Sequence, residues 1–163
     1  PGGKFSALGR TGSFIMKKFR WLLFSILMFL ALPAWSGAIC VVALWKGSVL
    51  DYVLLNGSEH PFKLQEQAET MLAEKGYDDY DRGLDIRHAR GQTFLNNGYA
   101  VVIESRYIPR FRKVEKERRS IGCGFSGKTY DDALWDAIRD MQAHDWSWVP
   151  DRDGYEVLEK IRF

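Results

Sequence analysis

Ser126 sits in Gly124-Phe125-Ser126-Gly127-Lys128, one residue away from the G-x-S-x-G elbow that exposes a nucleophilic serine on a tight strand-to-helix turn. The second glycine comes one place early and Lys128 stands in its position. A serine nucleophile also needs a base, and none of the three histidines, His60, His88 and His144, is placed beside it by sequence. Turn and cap chemistry accounts for Gly124, Ser126 and Gly127 without catalysis. The histidines form no H-x-x-x-H pair and the chain has no C-x-x-C, so zinc is not expected. Calcium fares no better. Counting from Asp78, so that Gly83 falls at position 6, puts Tyr80 and Arg82 where oxygen ligands belong. Asp132, Asp136 and Asp140 recur every four residues, which suits the solvated side of an amphipathic helix. No catalytic residue, metal or cofactor is expected from this inventory.

Two cysteines remain, Cys40 and Cys123, and the residues upstream of the first bear on their chemistry. Lys17, Lys18 and Arg20 form a basic cluster, Trp21 to Leu32 an apolar run, and Ser36-Gly37-Ala38 a small-x-small site. These are the three parts of a secretory signal peptide over 16–38, with 1–15 as an upstream extension and 39–163 as one domain. An oxidising compartment follows, and a Cys40–Cys123 disulfide would close a loop of about eighty residues, worth about 3–5 kcal/mol by chain entropy. The same apolar stretch extended to Trp45 also suits a retained membrane helix, against which Pro33 counts. A lipid anchor on Cys40 lacks the preceding leucine. Five of the 23 Lys/Arg and none of the 21 Asp/Glu precede Ile39, leaving 18 basic against 21 acidic residues, a net charge of −3. Such a domain has no global attraction to nucleic acid or to an anionic membrane.

Two stretches are the least explained by folding, although a solvated hairpin extension would account for the first and tryptophans packed against the sheet for the second. Arg110 to Arg119 packs six basic and two acidic residues into ten positions, an electropositive finger through Arg110, Arg112, Lys113, Arg118 and Arg119. Trp146 and Trp148 flank Ser147, so in an extended segment both indoles point the same way, as a platform for a partner.

The elements that must position these groups follow from periodicity. "ICVVALW" and "VLDYVLL" straddle Lys46-Gly47-Ser48, a hairpin signal. A helix is expected from about Pro61 to Lys75, capped by Ser58, stopped by Gly76, with Leu64, Ala68, Met71 and Leu72 facing the core. "YAVVIESRYI" and "RRSIGCGFSG" give two more strands. A helix from Tyr130 to His144 follows, capped by the Thr129–Asp132 pair, with Ala133, Leu134, Ala137, Ile138 and Met141 inward. "YEVLEKIRF" closes as a strand. The expected fold is α+β, one antiparallel sheet with two helices on one face and a ββα-ββα-β pseudo-repeat.

Residues 99–144, two strands with a basic connection and then "GCGFSGKTYDDALWDAI", resemble the second half of a double-stranded-RNA-binding domain in element order. That family opens its helix with lysines that hold phosphates. Here Lys128, Thr129, Tyr130, Asp131 and Asp132 are mostly neutral or acidic, so nucleic-acid binding is not carried over. The expectation is an exported, periplasmic binding protein of the immunity, inhibitor or envelope-accessory kind, with a protein partner. A hydrolase built from scattered residues such as His88 and His144, or a membrane-anchored interaction domain, is the alternative.

Overall fold

The computed structural model describes residues 37–78, 83–88, 95, 97–110 and 116–163, all within one compact unit, Ala34–Phe163. The elements are β1 (Gly37–Trp45), β2 (Ser48–Gly57), α1 (Pro61–Glu74), β3 (Leu84–His88), β4 (Tyr99–Tyr107), β5 (Arg118–Ser126), α2 (Tyr130–His144), α3 (Pro150–Asp153) and β6 (Glu156–Arg162). The signal segment up to Ser36 lies outside the described residues. Gly37 and Ala38 pair with Gly57 and Asn56, so processing after Ala38 would start β1 at Ile39.

The single sheet expected from the strand pattern is instead two. Each is antiparallel and three-stranded, in the orders β2-β1-β3 and β5-β4-β6. In each, the first strand is central, its hairpin partner lies on one side and a later strand on the other. The reason is legible in the central strands. Residues 38–43 of β1 and 100–105 of β4 are all buried, so both faces of each sheet need cover. Ala38, Cys40 and Val42 of β1 meet Ala100, Val102, Ile121, Cys123 and Phe125 between the sheets. Ile39, Val41 and Ala43 turn the other way, onto Leu64, Ala68 and Leu72 of α1. Val101 and Ile103 likewise meet Ala133, Ala137 and Met141 of α2. The helices therefore cover opposite outer faces of a four-layer sandwich.

A Cys40–Cys123 disulfide crosses the inter-sheet layer, with Cα atoms 6.2 Å apart. Both residues are buried among apolar neighbours.

Local chemistry follows the sequence at most element ends. Lys46 (φ 49°) and Gly47 (φ 79°) are both left-handed, the two-residue turn that suits the twist of the β1–β2 hairpin. Thr129 caps α2 by accepting from the Asp132 amide at 3.1 Å. The cap of α1 is His60 and not Ser58, its Nδ1 accepting from the Phe62 amide at 3.4 Å. Met71, expected inward, is 42% exposed, because Leu64, Ala68 and Leu72 already fill a narrow stripe. In β6 the alternation breaks at a bulge, where Val102 pairs with Glu159 and Ile103 with Val157.

The closest packing is between α2 and β5. A Cβ on Gly122 would lie 2.1 Å from the Ala137 carbonyl oxygen, and one on Gly124 2.0 Å from that of Ala133. Two glycines on the strand thus face two alanines one helical turn apart, and backbone meets backbone. Gly124→Ala should cost at least about 3 kcal/mol, the upper part of the range for overpacking, since the obstructing atoms are main chain. Equilibrium urea unfolding of the oxidised protein checks it, as a lowered midpoint.

Candidate functional site

The close approach of α2 decides where its carboxylates go. β5 is an edge strand, so alternate amides have no strand partner. Asp140 Oδ2 accepts from the Cys123 amide at 2.9 Å, Asp136 Oδ2 accepts from the Phe125 amide at 3.1 Å, and Ser48 Oγ accepts from the Arg119 amide at 3.2 Å. The aspartate row expected to be solvated is therefore split. Asp132 stays exposed at the cap, while Asp136 and Asp140 close the sheet edge. The signal was present, since glycines opposite alanines bring that helix face within reach of the strand.

At the C-terminal end of α2, Asp145 is 3% exposed and collects donors. Tyr107 donates its hydroxyl to Oδ2 at 2.6 Å, Ser120 donates to the same oxygen, and the Ser147 hydroxyl donates to Oδ1 at 2.8 Å. Arg118 Nε lies 3.1 Å from Oδ2. Burial on its own would raise the Asp145 carboxyl. The hydrogen bonds from Ser120, Tyr107 and Ser147, with the Arg118 charge, outweigh it and hold the group below the usual carboxylate range. Burial, and then the bond to Asp145, push the Tyr107 phenol up to about 12.

Beside this hub, His144 Nδ1 lies 2.9 Å from Asp140 Oδ1 and 2.8 Å from its carbonyl oxygen. Ser120 lines the same small cavity as His144. An acid, a base and a hydroxyl are thus close together. The Ser120 proton, however, goes to Asp145 and not to His144, so the serine–base bond that activation requires is not made. Ser126 has a local role, accepting from the Lys128 amide at 3.0 Å.

The basic finger divides. Arg118 and Arg119 belong to β5. Arg119 donates to the Leu50 carbonyl at 2.6 Å and to Glu104 at 3.0 Å, tying β5 to β2. Glu104 is 3% exposed. Burial would raise it, but Arg119 and Arg106 bring it below its ordinary value. Arg110 is exposed at the start of the connection. Arg112 and Lys113 lie outside the described residues, as do Tyr80 and Arg82 of the rejected calcium loop and the side chain of His88.

The tryptophans also part company. Trp148 is 2% exposed and donates Nε1–H to the Gly154 carbonyl at 3.0 Å, whereas Trp146 is 76% exposed. Residues 145–148 form a turn, with the Trp148 amide bonded to the Asp145 carbonyl at 3.1 Å, so residues two apart no longer share a side.

One surface was not expected from the sequence. Trp45, Lys46, Ser48 and Leu50 of the first hairpin and Pro109, Lys116 and Glu117 of the β4–β5 connection line an open groove of about 430 Å3. Lys46 Nζ stands 4.7 Å and Lys116 Nζ 5.3 Å from the centre of a Trp45 ring. Trp45 had looked like the end of a core strand; one of its cations is the adjacent Lys46, and the other, Lys116, comes from 71 residues away. Among the described residues no cluster of three or more potential metal ligands occurs, and no helix is long and apolar enough to cross a membrane. No family model, curated protein or solved structure matches the chain.

Asp145 and Glu104 both have folded values below their unfolded ones. Their stabilisation is present above about pH 4 and is lost as pH falls through the folded values. Asp145→Asn should cost about 3 kcal/mol at pH 7, in the range for breaking a buried charged pair, and should flatten the acid limb of stability against pH. Urea titrations from pH 7 to pH 3 on both proteins measure this.

Proposed function

We propose that this is an exported binding protein that docks an acidic, partly apolar segment of a partner protein in the Trp45 groove. One observation carries the reading: an indole flanked by two ammonium groups, at the root of a chain segment rich in Lys and Arg. An aromatic anchor beside cations offers apolar area and charge complementarity together, the combination that concentrates binding energy in few residues. The exported location is supported by the disulfide, which suits an oxidising compartment, and by the basic and apolar segment upstream of Ile39. Catalysis is the weaker account because the Ser120 hydroxyl, which shares a cavity with His144, is committed to Asp145.

The burial of Arg118 and Arg119 changes how the reading is tested. Reversing either would break the β5–β2 tie or the Asp145 hub, and lost capture would then report unfolding. Lys46 and Lys116 are free of that objection. With envelope extract as the source, the Lys46→Glu/Lys116→Glu variant should retain a partner at least tenfold less tightly than the unaltered protein. The partner's contact segment should be acidic, and binding should weaken between 50 and 500 mM salt. Equal retention of every partner by the double variant would remove the groove from the account.

A further inference from the structure

On the other side of the β1–β2 hairpin from the groove, a cavity of about 70 Å3 lies between β3, the edge of β5 and the end of α2. Arg87, Arg118, Ser120, His144 and Asp145 line it. Arg87 pairs in register with Val42, whose side chain belongs to the inter-sheet core, so the guanidinium is directed between the layers. Its Nε and Nη1 are buried and have no protein acceptor among the described residues. Burial lowers its pKa, against the opposing pull of Asp140, Asp145 and Asp85, yet a guanidinium does not give up its proton in a protein.

The neighbouring charges are already engaged. Arg118 faces Asp145, Asp145 is held by three hydroxyls, and His144 Nδ1 is held by Asp140. The cavity thus presents buried N–H donors that lack acceptors, with the His144 ring on its wall.

We propose that this cavity binds a compact monoanion, the size of formate or a halide, on Arg87. Size sets one limit, since about 70 Å3 has room for only a few water-sized groups. Charge sets the other limit, because Asp140 and Asp145 beside the site repel a dianion such as sulfate. Three heavy atoms at the best attainable binding per atom put the dissociation constant at about 0.5 mM or weaker.

Saturation-transfer NMR on formate with the full oxidised protein tests the site directly, with sodium gluconate holding ionic strength constant. Formate should show saturable transfer that chloride displaces and sulfate does not. Arg87→Gln should weaken it at least fivefold, while Lys46→Glu, in the groove, should leave it unchanged. Removing a buried guanidinium is not expected to unfold the protein, and the circular dichroism of the variant is recorded beside the titration. Non-saturable transfer, equal displacement by sulfate, or the same affinity in Arg87→Gln would each overturn the proposal. Displacement by chloride in the unaltered protein decides the matter even if that variant fails to fold.

Discussion

Two glycines in β5 with no side chain to hold α2 away are the constraint on which most of this molecule rests. Because Gly122 and Gly124 let the helix backbone down onto the strand, Asp136 and Asp140 reach the amides of an edge that would otherwise invite another strand. The same approach delivers the end of α2 to the sheet, where Asp145 gathers Tyr107, Ser120 and Ser147. On the opposite face of the strand, alternation sends Ile121, Cys123 and Phe125 into the layer between the sheets, where Cys123 meets Cys40. One dipeptide repeat, glycine then apolar residue, therefore seats a helix on one side and a second sheet on the other.

Charge is distributed by the same logic. Buried carboxylates at Glu104, Asp140 and Asp145 are each met by named donors, so none stands as an isolated charge. Arg118 and Arg119 are spent on these partners, and the basic connection keeps Arg110 and Lys116 at the surface, with Lys116 beside the Trp45 ring. What reads in sequence as one positive finger is two devices: structural arginines inside the strand, and cations that border a groove. The proposed docking role belongs to the second.

How much of this was legible depends on range. Short-range chemistry was: the left-handed Lys46-Gly47 turn, the Thr129 cap and the bounds of α2 follow from residues a few places apart. The even cysteine count and the upstream segment suggested the Cys40–Cys123 bond. Two sheets instead of one were not foreseen, although the unbroken apolar runs around Val41 and Val102 require cover on both faces. Trp146 and Trp148 do not share a side, because the chain turns where an extended segment was assumed, and the burial of Trp148 is the packing the sequence also allowed. The Trp45 groove and the Arg87 cavity were invisible, since each joins residues from different hairpins and only tertiary packing brings them together.

The central claim is that the two sheets form one body joined through Cys40 and Cys123, in a compartment that keeps that bond oxidised. Intact mass of protein expressed from Met16 and recovered from the cell envelope, alkylated before and after reduction, tests it most directly. The account predicts a chain that begins near Ile39 and takes up no label until it is reduced, then two. Two labels without reduction, on a chain still carrying residues 16–38, would contradict both the join and the export on which the proposed function depends.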